Sequence, residues 1–158
     1  MDAEEAVASA RDYLDSLGYK NMENTYYILQ DNCIVINFAY KEGDYICYPD
    51  LIKVRVSLSD GSVQDIDASG YIRNHKDRSV PVPQYDINER KSLVPDNLKI
   101  LSEGNAVIPS YGKKELFCFE YKCENEDGRH YVVYVGTQSG KQENILILIE
   151  DENGTLAI

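Results

Sequence analysis

The sequence has no tryptophan, two histidines and five prolines in 158 residues. It also lacks any run with the length and apolarity of a membrane helix, and its N-terminus has neither the basic nor the apolar region of a signal peptide. These absences describe a chain expected to be soluble and to make no direct membrane contact of its own. Basic residues are scarce as well: 16 Lys and Arg face 27 Asp and Glu, for a net charge of −11 and a pI near 4.6. Nucleic acids and anionic membranes require a basic surface, so neither is an expected partner, whereas a basic protein is electrostatically compatible. The deficit is spread evenly, with 8 basic and 14 acidic residues through Arg78 and 8 and 13 beyond it, so neither half is a charged tail.

The four cysteines, Cys33, Cys47, Cys118 and Cys123, include no CxxC pair, and only His75 and His130 could add imidazoles. No metal site or cofactor is expected from that set. The cysteines lie in strand-like apolar runs, which suits free thiols acting as small core residues better than a disulfide framework.

Asp2 and Glu5 have capping-box spacing, and Ala6, Ala10, Tyr13, Leu14 and Leu17 recur on one helical face before Gly18. The period then changes to two. Strands are predicted at Tyr26–Leu29, Cys33–Tyr40, Lys53–Leu58 and Val63–Ile66, with turns at Asp31-Asn32, Lys41–Asp44 and Asp60-Gly61. Residues 74–83, with Pro81 and Pro83, read as a stiff linker between two units, 1–78 and 79–158. Beyond it the order repeats: a short helix over Asp86–Val94, strand pieces at Leu98–Leu101 and Ala106–Ile108, then strands at Leu116–Cys123, Tyr131–Val135 and Ile145–Ile149.

A shift of 79 residues sets Val54, Val56, Asp60, Gly61 and Ile66 on Val133, Val135, Ser139, Gly140 and Ile145. The upstream strand needs a shift of 83, which sets Ile34, Ile36 and Phe38 on Phe117, Phe119 and Tyr121. The first copy therefore holds four extra residues around Tyr45–Asp50, and an insertion in one copy is expected as a loop or bulge where binding function is often placed. The predicted class is α+β: two tandem units, each a helix packed on a short antiparallel sheet.

The strings Asn37-Phe38-Ala39-Tyr40, Ile46-Cys47-Tyr48-Pro49-Asp50-Leu51-Ile52-Lys53-Val54, Asp60-Gly61, Gly70-Tyr71 and Asn74-His75 resemble the C-terminal PepSY region of the YpeB spore germination family. The opening Tyr13-Leu14 with Leu17-Gly18-Tyr19 and the closing Ile149-Glu150 with Glu152–Leu156 extend that resemblance over nearly the whole chain. The resemblance implies a spore-forming bacterium and a role in assembling or retaining the cortex-lytic enzyme SleB in the dormant spore. It also implies an extracytoplasmic location, on the cortex side of the inner spore membrane, through an N-terminal anchor that these residues do not include.

Catalytic residues are not expected. A nucleophile needs a base held by a third group; His75 sits in the charged linker, His130 opens a strand, and nothing near Cys47 in sequence supplies a base. Acidic runs such as Glu150–Glu152 read as solvated faces, calcium-loop ligand order is missing, and no glycine-rich phosphate cradle is present. Thirteen tyrosines are the compositional feature that bears on binding, because the ring is apolar and its tip polar. The expected partner surface is Tyr45, Ile46, Tyr48, Pro49 and Asp50 from the insertion, with Tyr71, Asn74 and His75. Two roles follow: a non-catalytic scaffold for a SleB-like hydrolase or, as PepSY units elsewhere suggest, a protease inhibitor or propeptide-like chaperone.

Overall fold

The computed structural model describes residues 1–112, 114–151 and 153–157, Leu156 by its backbone alone. Its elements run α1 (Ala3–Ser16), β1 (Met22–Gln30), β2 (Cys33–Glu42), β3 (Tyr45–Ser57), β4 (Val63–Asp67) and α2 (Ser69–Asn74). A 3-10 helix (Glu89–Leu93) then precedes β5 (Lys99–Pro109), β6 (Glu115–Glu124), β7 (His130–Gly136), β8 (Gln142–Asp151) and β9 (Gly154–Ala157). The fold is α+β, and the chain divides into two compact units. The first holds residues 1–42, 46–76 and 150–156; the second holds 43–45 and 77–149 of the residues described above, with Ala157. The main break thus falls between Lys76 and Asp77, while the segment from Glu150, read as the end of the second unit, joins the first.

In the first unit α1 starts on the capping box, with Glu5 N–H donating to Asp2 Oδ1 at 2.9 Å and Asp2 N–H to Glu5 Oε2 at 3.0 Å. It ends in a Schellman turn: Tyr19 N–H reaches Leu14 O, Gly18 N–H reaches Asp15 O, and Gly18 has φ +93°. The helix buries Ala6, Ala10 and Leu14 against Ile34, Ile36, Phe38, Ile52, Val54 and Val56. Small alanines let the backbone lie close to the sheet, and complete burial of Leu14 contributes roughly 2 kcal/mol. The strands follow the order β9-β1-β2-β3-β4 within this unit.

The second unit is a β8-β7-β6-β5 sheet with antiparallel pairings. Its core joins Val94, Phe119, Tyr121, Cys123, Val133 and Val135, with Tyr85, Ile87, Leu93 and Leu98 packed on them. The expected helix over Asp86–Val94 is only the 3-10 helix Glu89–Leu93. Asp86 Oδ1 accepts the N–H groups of Asn88 and Glu89, and five consecutive polar residues from Asn88 to Ser92 give no apolar helical stripe before Pro95. The expected strand pieces after it merge into one strand, β5.

The 79-residue shift holds in three dimensions. Val54 pairs with Ile66 and Val133 with Ile145; Arg55 pairs with Asp65 and Tyr134 with Asn144. Both hairpins then slip register at the next residue, and both turns are closed by a 2.9 Å bond, Gly61 N to Ser57 O and Gly140 N to Gly136 O. Of the two forms expected for the insertion, no loop is made. Tyr45–Asp50 is the first half of the 13-residue strand β3, and the extra length is taken up inside the strand by a slip in phase of the kind a bulge gives. Tyr45 and Cys47 are buried in alternation, then Asp50, Ile52, Val54 and Val56, so the phase slips by one across Tyr48 and Pro49. Proline has no ladder donor, which makes a slip in pairing the natural place for it.

Candidate binding surface

The short helix α2 brings distant residues of the first unit together. Asp67 Oδ1 accepts Ser69 N–H at 3.0 Å and starts the turn. Gly70 then lets the helix backbone lie on β3: a Cβ there would stand 2.9 Å from Leu51 O and 3.1 Å from Leu51 Cβ. One turn later, Asn74 Nδ2 donates to Pro49 O at 2.9 Å and to Gly70 O at 3.0 Å. Gly70 and Asn74, four residues apart, thus fasten α2 to the phase slip in β3.

The same spacing places Tyr71 and His75 on one side. Their rings stack, with centroids 4.2 Å apart and planes 12° apart. Tyr40 from β2 meets the His75 ring edge-on at 4.6 Å, and Tyr19, just after α1, meets Tyr71 edge-on at 5.0 Å. His75 Nδ1 lies 2.8 Å from Oδ2 of Asp50, whose side chain is fully buried while that of His75 is 30% exposed. A carboxylate acceptor at that distance fixes the proton on Nδ1 and orients the ring. Burial pushes the Tyr71 hydroxyl above its usual range, and the neighbouring Asp50 and tyrosines push the same way.

The base-and-orienter half of a catalytic triad is therefore present, but the His75 side chain's polar contact among the described residues is Asp50, and its ring packs on tyrosines. Among the described residues, no three His, Cys, Asp or Glu side chains gather as a metal-binding group. The other histidine, His130, stands 3.6 Å from Glu124 at the start of β7.

Of the residues expected at the partner surface, Pro49, Asp50, Tyr71, Asn74 and His75 assemble here. Tyr45 does not: it is 6% exposed, belongs to the second unit, and packs edge-to-face on Phe117 at 5.4 Å. Burial pushes its hydroxyl upward too, opposed by a hydrogen bond with Thr137. Asp50 is present as a buried anchor, not an exposed contact. Ile46 and Tyr48 are half-buried on β3. The sequence reading missed Tyr19, Tyr40 and Ile72, the last 72% exposed on α2. Tyr71 and His75 at i and i+4, with Ile72 between them, would have signalled a helix if 74–83 had not been read as linker from its first residue.

A helix laid on an antiparallel sheet, with a second sheet unit in matching hairpin register, is the architecture of PepSY-type domain pairs. Residues 1–81 match the family model described as YpeB sporulation, PepSY1 and PepSY2 domains. The chain belongs to the YpeB sporulation family. It is 28% identical over 148 residues to sporulation protein YpeB of Halalkalibacterium halodurans, covering 94% of this chain and 33% of that protein. Against sporulation protein YpeB of Bacillus subtilis it is 26% identical over 117 residues, covering 73% and 25%. The chain thus spans a third or less of the length of these relatives. The Bacillus megaterium YpeB C-terminal domain has the same fold, with a TM-score of 0.83 at 23% identity over 95% of this chain and 66% of that one.

Proposed function

We propose that this protein is a non-catalytic binding module of the sporulation machinery, which holds a SleB-like cortex-lytic hydrolase in the dormant spore on the outer side of the inner membrane. The observation that carries the reading is the platform on α2: an exposed Ile72 beside Tyr71 and His75, held rigid by Asp50, Asn74 and Gly70. Aromatic side chains fixed by their neighbours lose little entropy on binding, which is what a protein-binding surface needs. Membership of a sporulation family supplies the biological setting, and the acidic chain suits a basic partner face.

The test is immunoblotting of the hydrolase in purified dormant spores that carry Ile72→Asp or Tyr71→Ala. Retention should fall severalfold while the variant protein itself stays at normal abundance. Undiminished hydrolase in both strains would remove α2 as the contact surface. Tyr45→Ala is unsuitable, because it would open the packing on Phe117.

A further inference from the structure

In the first unit a groove of about 320 Å³ runs along one flank of α1 beside β1. Its β1 wall depends on an irregularity in the strand. Asn24 lies opposite Phe38 and Tyr27 opposite Ile36, so three residues of β1 advance against two of β2. Residues three apart in a regular strand point to opposite faces. This bulge instead sets Asn24 and Tyr27 on one face, that of the Ile36 and Phe38 core on which α1 packs. Ala3, Val7 and Ala8 give the helix wall a small, apolar surface. The Tyr27 ring is 38% exposed, and its hydroxyl has no partner among the described residues.

Opposite charges close the two ends. Glu4 and Arg11 line the groove from the same flank of α1, seven residues and so roughly 10 Å apart along its axis. The capping box uses Glu5, which leaves the exposed Glu4 carboxylate uncommitted among the described residues. Arg11 is held in place, its Nη2 donating to Asn24 Oδ1 at 2.5 Å. That bond occupies one of the five guanidinium donors, and the Asn24 amide group adds its own donors beside them.

We infer that this groove binds a short extended peptide with free ends, its ammonium group at Glu4, its carboxylate on Arg11 and Asn24, and small apolar side chains between Tyr27 and the α1 wall. Spacing sets the length: an extended chain advances about 3.3 Å per residue, so three residues span the roughly 10 Å between the charges. A guanidinium already oriented by Asn24 suits a carboxylate, whose two oxygens accept its planar N–H groups as a pair. The volume lies at the lower end of small-molecule sites, as a tripeptide of small residues requires. None of these residues belongs to the α2 platform, so failure here leaves the reading of α2 standing.

The probe is the tripeptide Ala-Val-Ala, titrated into the whole chain and followed by backbone amide NMR. Saturable shifts should appear at Val7, Ala8, Asn24 and Tyr27. Acetylating the peptide's N-terminus or amidating its C-terminus should each weaken binding about threefold or more, the scale of one exposed ion pair. Glu4→Gln, outside the capping box, should keep the wild-type melting profile, weaken the free peptide by the same factor and leave the acetylated peptide unchanged. Arg11→Gln should do the same against the amidated peptide. No saturation at millimolar peptide, shifts confined to other residues, or an equal loss for free and acetylated peptide in Glu4→Gln would each overturn the proposal. So would a doubly capped peptide that binds as well as the free one, since the occupant would then be an internal segment of a longer chain.

Discussion

Hairpins β3–β4 and β7–β8 share their register, their slip and their turn, yet they support different structures. The first lies under a 14-residue helix and is clasped by α2; the second lies under an irregular segment held by single side chains. Tyr121 Oη donates to Ile87 O, and the Arg90 guanidinium sits 4.0 Å over the Tyr85 ring. The comparison teaches that a conserved strand register leaves the covering layer free to change, because the ladder bonds involve backbone and the cover depends on side chains. One unit turned its extra length into a platform; the other left Ile145, Ile147 and Ile149 of β8 exposed.

The largest expected contrast comes from the two covers. Leu14→Ala leaves a void under α1 and should cost about 2–5 kcal/mol, whereas Val94→Ala, at the end of the 3-10 segment, removes less buried surface and should cost about 1–2 kcal/mol. Hydrogen exchange followed by mass spectrometry should place the first lesion in α1 and β2 and the second in β6 and β7; equal costs would show that the covers contribute alike.

The matched turn glycines give the next contrast. Both have positive φ, +73° at Gly61 and +67° at Gly140. An alanine Cβ at Gly61 meets the flexible end of Met1, but at Gly140 it would stand 2.7 Å from the Tyr85 ring. Gly61→Ala should cost about 1 kcal/mol and Gly140→Ala about 2–3 kcal/mol, from backbone strain alone and from strain plus overpacking. Urea unfolding midpoints of the two variants decide this, and the reverse order would refute the packing argument.

The clasp and its counterpart should differ more modestly. His75→Ala uncovers the buried Asp50 carboxylate and removes the stack on Tyr71, for about 1–3 kcal/mol, while Tyr121→Phe loses one hydrogen bond to Ile87 O, about 1 kcal/mol. Amide exchange across α2 should accelerate in the first variant and stay unchanged in the second.

A pH series should separate the units with the smallest effect. Burial pushes the Cys118 thiol from its ordinary 9.0 to about 12, and the Tyr121 hydroxyl from 10.0 to about 12. Both are acids whose charged forms are disfavoured in the folded state. Their contribution is complete below pH 9.0 and is lost as pH rises toward 12, because the unfolded chain releases these protons first. At pH 10 the loss from Cys118 is about 1 kcal/mol. Cys118→Ala should flatten the decline in denaturant midpoint between pH 8 and 10, and an unchanged slope would show that the thiol does not drive it.

The helix α1, most strands and the paired hairpins were legible in the sequence because each rests on local signals: a capping box, a period of 3.6 or 2, a glycine in a turn. The 79-residue shift in the sequence identifies equivalent hairpin residues, and the structure pairs them in the same register. The candidate surface was half legible. Pro49, Asp50, Tyr71, Asn74 and His75 were singled out, but Tyr45 was grouped with them by proximity in sequence, and Tyr19 and Tyr40 were missed because they reach the site from other elements.

By itself the sequence determined what repeats in this protein: apolar period, turn chemistry and an acidic balance are properties of neighbouring residues and need no partner across the fold. Only the tertiary structure decided that the extra residues of the first copy extend a strand, that Tyr45 turns to Phe117, and that His75 meets Asp50 25 positions earlier in the chain. Those outcomes depend on which distant surfaces a side chain can bury against, and burial is a property of the assembled fold.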